Sequence, residues 1–101
     1  MTTTTDSFQP SYGNGITVAP TTSSASSTLG AGSDNIVVTN LSSGVTAYVR
    51  IGTGAQTATT ADYPVLPSTQ ISLSKDRTDN TVAYITDGST GSLHIIAGRG
   101  L

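Results

Sequence analysis

The chain has no cysteine, no tryptophan and no glutamate, one histidine, one phenylalanine and only four basic residues among its 101. Without cysteine there is no disulfide framework, no thiolate metal site and no cysteine nucleophile. The single histidine, His94, leaves zinc without a ligand set. A lone histidine on a strand is more often a packing or surface residue than a catalyst. Arg50, Lys75, Arg77 and Arg99 are the only basic side chains, and the net charge is −2. A nucleic-acid binder would carry a basic patch to meet phosphates, so no nucleic-acid partner is expected. No apolar run approaches the roughly 20 residues needed to span a bilayer. Met1 is followed by TTTTDSFQPS and not by a basic and then apolar leader. A soluble protein made in a cytoplasm, with no membrane partner, is the expectation.

What is present favours strands. Threonine contributes 19 residues and serine 14, while leucine, isoleucine, valine and phenylalanine together reach only 21. That apolar share lies near the ~20% level below which chains tend to stay disordered, so the core must be thin. Each large side chain it buries contributes about 1.5–3 kcal/mol, and support from an oligomer or a host surface would be in keeping. Threonine fits a pleated, half-wet surface, and Ser, Asn, Asp and Gly recur at the spacing of turns. The length suits one domain. The expected class is all-β, a single small antiparallel β-sandwich of jelly-roll type, preferred to a small barrel because prolines and glycine pairs break the chain into edge-like pieces.

Residues 1–15 are polar and poor in aliphatics, the composition of a segment that cannot fold alone. They read as a flexible, extended N-terminal arm, with the sandwich over 16–101. Phe8 and Tyr12 are its only aromatics and are candidate anchors on a partner. Removing residues 1–14 is expected to leave the fold intact and to weaken assembly. Short strands follow at 16–19 and 24–29. The stretch NIVVTNLSSGVTAYVRIG, 35–52, then offers the two longest β-type runs. Val45, Ala47, Val49 and Ile51 form one dry face, opposite Tyr48 and Arg50. The short link NLSSG predicts an antiparallel hairpin. Residues 55–60 suggest an edge strand, and YPVLP, 63–67, an extended edge segment, since proline is excluded from central strands. Ile71 and Leu73 should face inward. KDRTDN, 75–80, gathers four of the ten charges and reads as a solvated loop. Strands at 81–86 and 92–97, joined by DGSTG, predict a second hairpin whose apolar face comprises Ala83, Ile85, Leu93, Ile95 and Ala97.

None of these residues assembles a catalytic signature. There is no G-x-S-x-G elbow, the Asp76 and Asp79 loop lacks the ligand density and distal glutamate of a calcium loop, and GTG and GRG are not followed by the GK[ST] of a phosphate loop. The expectation is a non-enzymatic protein with no catalytic residue, cofactor or metal.

The run from Asn35 through YPVLP, followed by QISLSKDRTDNTVAYITDGSTGSLHIIAGRGL, resembles small virion proteins of tailed bacteriophages. The shared features are an Asn-bounded strand, an AYVRIG-like strand, prolines around a short apolar step, a VAYI strand and a final LHII strand ending in a Gly-rich tip. The resemblance implies a structural component of a phage particle. Most directly it implies a head decoration or cement protein, bound to the major capsid protein as a homo-oligomer, typically a trimer, with the virion as its location. A tail or head-tail junction protein is the alternative. From the residues themselves, the partner-contact candidates are Phe8, Tyr12, Tyr48, Arg50 and Arg99. A reading from another class is a carbohydrate-binding sandwich, in which Tyr48 and Tyr84 would share an outward face.

Overall fold

The computed structural model describes residues 8–29 and 33–99. Among them the chain forms nine strands and no helix: β1 (Gln9–Pro10), β2 (Ile16–Val18), β3 (Ala25–Thr28), β4 (Asn35–Asn40), β5 (Ala47–Gly52), β6 (Tyr63–Val65), β7 (Gln70–Ser74), β8 (Thr81–Thr86) and β9 (Leu93–Arg99). All pairings are antiparallel and they build two sheets. In the first, β1 and β2 both lie along β9, which pairs with β4 and β4 with β7; the second runs β3-β8-β5-β6. Except between β1 and β2, which share the first sheet, and between β5 and β6, which share the second, each successive strand lies in the opposite sheet.

Inward-facing side chains of the two sheets meet in one core. Ile36, Val38, Leu93 and Ile95 from the first sheet face Ala47, Val49, Val65, Val82 and Tyr84 from the second, with Ile16, Val18, Ile51, Ile71 and Leu73 packed around them. Ala47, Val49 and Ile51 of the dry face expected for β5 are therefore in place, as are the inward Ile71 and Leu73, whereas Val45 precedes the strand and is only half-buried outside this cluster.

The two hairpins expected from the sequence are absent. β4 pairs with β7 and β9, whereas β5 pairs with β6 and β8. Likewise β8 and β9 belong to opposite sheets. The physical reason lies in their apolar content. β4 and β5 are rich enough to be flanked on both edges, so each becomes an inner strand of its own sheet, and the link between them crosses the core.

The face expected for β8 is also inverted. Val82 and Tyr84 point into the core, and the Tyr84 hydroxyl shares a 2.6 Å hydrogen bond with Ser27 Oγ. By alternation Ala83 and Ile85 point outward. Ala83 is nevertheless fully buried, because residues 53–62 form an irregular loop over this outer surface and not the expected edge strand. The loop is tied down where Ala58 N donates to Ser24 Oγ at 2.8 Å and Arg50 Nε donates to Asp62 Oδ1 at 3.1 Å. Ala58 is itself buried, yet neither it nor Ala83 belongs to the central cluster. The YPVLP segment does supply an edge, β6.

Within the expected arm, residues 8–15 run along β9. Gln9 and Pro10 lie opposite Arg99 and Gly98, and the register resumes with Ile16 opposite Ile95. Five residues thus intervene on one side against two on the other. The excess bulges out as a turn closed by Asn14 N donating to Ser11 O, with Gly13 at φ 84°. Residues 1–7 of the expected arm, residues 30–32 and the Gly-rich tip beyond Arg99 lie outside the described residues.

At the end of the sandwich where β5 finishes and β8 begins, the charged turn is held by its own side chains. Lys75 is buried to 7% exposure and its Nζ donates to the carbonyls of Asp76 and Asp79. The Asp76 carboxylate accepts from the Thr78 amide and hydroxyl, and these bonds, the amide first, hold its pKa below the usual 3.8. A depressed folded-state pKa gives stability that is present above the unfolded value and is lost as pH falls through the folded one. Thermal melts taken at decreasing pH should therefore show an acid loss that is smaller in Asp76→Asn. An unchanged acid limb in that variant would exclude Asp76 as a contributor.

Candidate functional site

Three connections meet at the opposite end of the sandwich, and Asn40 joins two of them directly. It is the last residue of β4, faces inward and is 1% exposed. Its Nδ2 donates to the carbonyl oxygens of Val45 at 2.8 Å and Val65 at 3.0 Å, and its Oδ1 accepts from the Ser42 amide at 2.9 Å. One side chain thereby bonds the crossing from β4 to β5 and the end of β6. Ser42 extends the network: its carbonyl accepts from Ser68 N and its hydroxyl oxygen from Ser92 N at 2.7 Å. Leu41 N donates to Ser92 O, and Thr69 Oγ1 to Leu66 O. Ser68 adopts φ 57°, a left-handed conformation that a non-glycine residue keeps only where its surroundings hold it.

This hydrogen-bonded platform presents Leu41 and Leu66, 56% and 57% exposed. Large apolar side chains held outward on an ordered loop cluster suit a protein contact: little conformational entropy remains to be lost on docking, and apolar area remains to be buried.

The residues singled out from the sequence fall into two groups. Phe8, Tyr12 and Arg99 lie along the β1–β9 edge of the first sheet. Phe8 packs against Gly98, Tyr12 stands 82% exposed on the bulge, and Arg99 ends β9 opposite Gln9. Tyr48 and Arg50 alternate to the outer face of the second sheet, where Tyr48 is flanked by Pro64 and Ile85. Arg50 is occupied internally by Asp62 and the Thr57 carbonyl, so its role is to hold the covering loop. As the pair is half exposed to solvent on the arginine side, its contribution to stability is small.

Tyr48 and Tyr84 do not share an outward face. Val49 is the cross-strand partner of Tyr84, which places the two tyrosines on opposite sides of the sheet. His94 lies on the outer face of the first sheet, as expected; it sits against Gly15, where a Cβ would come within 2.8 Å of Nε2. A polar depression of about 80 Å³ beside Ser11, Asn14, Thr28 and Ser33 is well below the roughly 300–1,000 Å³ of small-molecule pockets.

Leu41 and Leu66 are not among the contact candidates that composition and alternation single out. The signal was nonetheless present: Leu41 is a lone large apolar residue inside the turn formers NLSSG, and Leu66 follows the inward Val65, so alternation turns it outward between two prolines. Compared with known proteins, the chain matches no family model, no curated protein and no solved structure.

Proposed function

We propose that the chain is a non-enzymatic structural protein of a bacteriophage particle, seated on the major capsid protein as an oligomer through the loop end that carries Leu41 and Leu66. The observation that carries this reading is the winding of the strands. The sheet orders β2-β9-β4-β7 and β3-β8-β5-β6, with every link from β2 onward crossing the core except β5 to β6, support a jelly roll. This double-sheet architecture is shared by viral shell and lectin domains. Fold alone does not fix function. The likeness of residues 35–101 to phage virion proteins and the apolar pair on a rigid platform add the class and the contact surface. A thin core and hydroxyl-rich faces also suit a subunit supported by neighbours in a shell, where many seats reinforce a modest contact.

The test is the composition of purified particles. Mass spectrometry should find the protein at a fixed, high ratio to the major capsid protein; a few copies per particle would move it to the tail or the junction, and its absence would refute the reading. Leu41→Asp and Leu66→Asp should remain folded. Each leucine has about half its surface left to bury, so each change should weaken seating by roughly tenfold, read as occupancy on particles with titrated protein. Full occupancy by both variants would exclude this end as the contact.

A further inference from the structure

The four sheet edges are not equally protected. The β1–β2 edge is interrupted by Pro10 and the bulge, and β6 is three residues with Pro64 at its centre. At β3 the preceding Ser24 bonds the covering loop. Proline, bulges and covering loops are the usual ways of blunting an edge. Strand β7 has none of them. It runs for five residues, QISLS, without charge or proline, and among the described residues it pairs only with β4.

The direction of its backbone groups follows from the ladder. Asn40 N donates to Thr69 O and Lys75 N to Asp34 O, and antiparallel bonding alternates residue by residue. Thr69, Ile71, Leu73 and Lys75 therefore turn their amides and carbonyls toward β4. Gln70, Ser72 and Ser74 turn theirs to the open edge. These are the groups a further strand would bond.

Reversed, β7 keeps its pattern of polar and apolar positions. An antiparallel copy centred on Ser72 sets Gln70 against Ser74 of the second copy and Ser72 against Ser72, so all three outward residues on each strand are bonded; any shifted register bonds fewer. On the inner side Ile71 meets Leu73 of the second copy, and both are only half-buried against the core. No like charges face each other in this register, an arrangement that would otherwise oppose it. We infer that β7 is the edge through which two copies of the chain join, antiparallel about Ser72, into one continuous sheet. The interface is isologous, as a two-fold contact must be. It does not depend on the particle reading, and oligomers built through other surfaces leave it free.

Because the chain has no cysteine, the register can be read by cross-linking. Residues opposed in a bonded antiparallel pair have Cα atoms about 5.5 Å apart, within disulfide reach. Under mild oxidation of the full-length chain, Ser72→Cys should form a disulfide-linked dimer. Ser74→Cys, also exposed but facing Gln70, should not. Equal yields from the two variants would show random collision and overturn the inference, as would the absence of a dimer from Ser72→Cys.

Discussion

Replacing Asn40 with alanine is expected to lower the free energy of unfolding by about 3 kcal/mol. The estimate follows from what the side chain leaves behind. The Val45 and Val65 carbonyls and the Ser42 amide each lose a partner, and a buried polar group left unsatisfied costs about 1–3 kcal/mol. Partial access of water to the more exposed of these groups keeps the sum at the lower end. Set against a total stability of about 5–15 kcal/mol for a domain, this is a large loss. Urea denaturation should show a lower midpoint with an unchanged slope. Asn40→Asp separates hydrogen bonding from the filling of space, since it keeps the shape while replacing the donor with a second acceptor. At neutral pH a carboxylate would face two carbonyl oxygens and cost more than alanine does. On acidification the protonated carboxyl regains one donor, and part of the loss should be recovered. A loss below about 1 kcal/mol for Asn40→Ala would mean that water replaces the amide, and the platform carrying Leu41 and Leu66 would then be less rigid than its hydrogen bonds imply.

Asn40 also marks the limit of what local pattern can reveal. In β4 and β5 the alternation of apolar and polar residues states which side is dry, and Ile36, Val38, Ala47 and Val49 are buried as that alternation requires. Alternation does not state which strand lies alongside. A six-residue connection is compatible with a hairpin or with a crossing between sheets, and the choice is made by β7, β8 and β9, distant in sequence. Strand β8 defeats the pattern in another way. In VAYI the residues of both faces are apolar, so the direction of each is fixed only once Ser27 takes the Tyr84 hydroxyl and the 53–62 loop covers the outer side. That loop reads locally as an edge strand, because its Ala and Thr content is strand-like; what holds it over the sheet is Arg50 with Asp62 and Ser24 with Ala58. Prolines were more informative, since Pro64 limits β6 to an edge whatever surrounds it. Of the contact residues, Tyr12 is the exposed aromatic that its composition suggests, whereas the role of Arg50 depends on a partner twelve residues away.

Gly98 tests whether the N-terminal segment belongs to the fold. A Cβ built at this position would run into the Gln9 carbonyl oxygen and lie 2.8 Å from the Phe8 ring. The ring could turn aside, but the carbonyl belongs to the backbone of β1, so alanine at position 98 must push β1 away from β9. Overpacking of this kind costs about 1–3 kcal/mol, and the obstruction by backbone places Gly98→Ala near the upper end. In a chain lacking residues 1–10 the obstacle is gone. There the same substitution should be neutral or should stabilise by about 0.5–1 kcal/mol, because alanine loses less conformational freedom than glycine on entering a strand. The sign of the effect thus depends on the arm, and a double-mutant comparison of the two changes by urea denaturation measures their coupling. If Gly98→Ala costs the same with and without residues 1–10, the contact with Phe8 and Gln9 contributes nothing to stability. If the cost disappears in the shortened chain and its sandwich still unfolds cooperatively, β1 is a segment that docks onto a domain already complete from β2 onward.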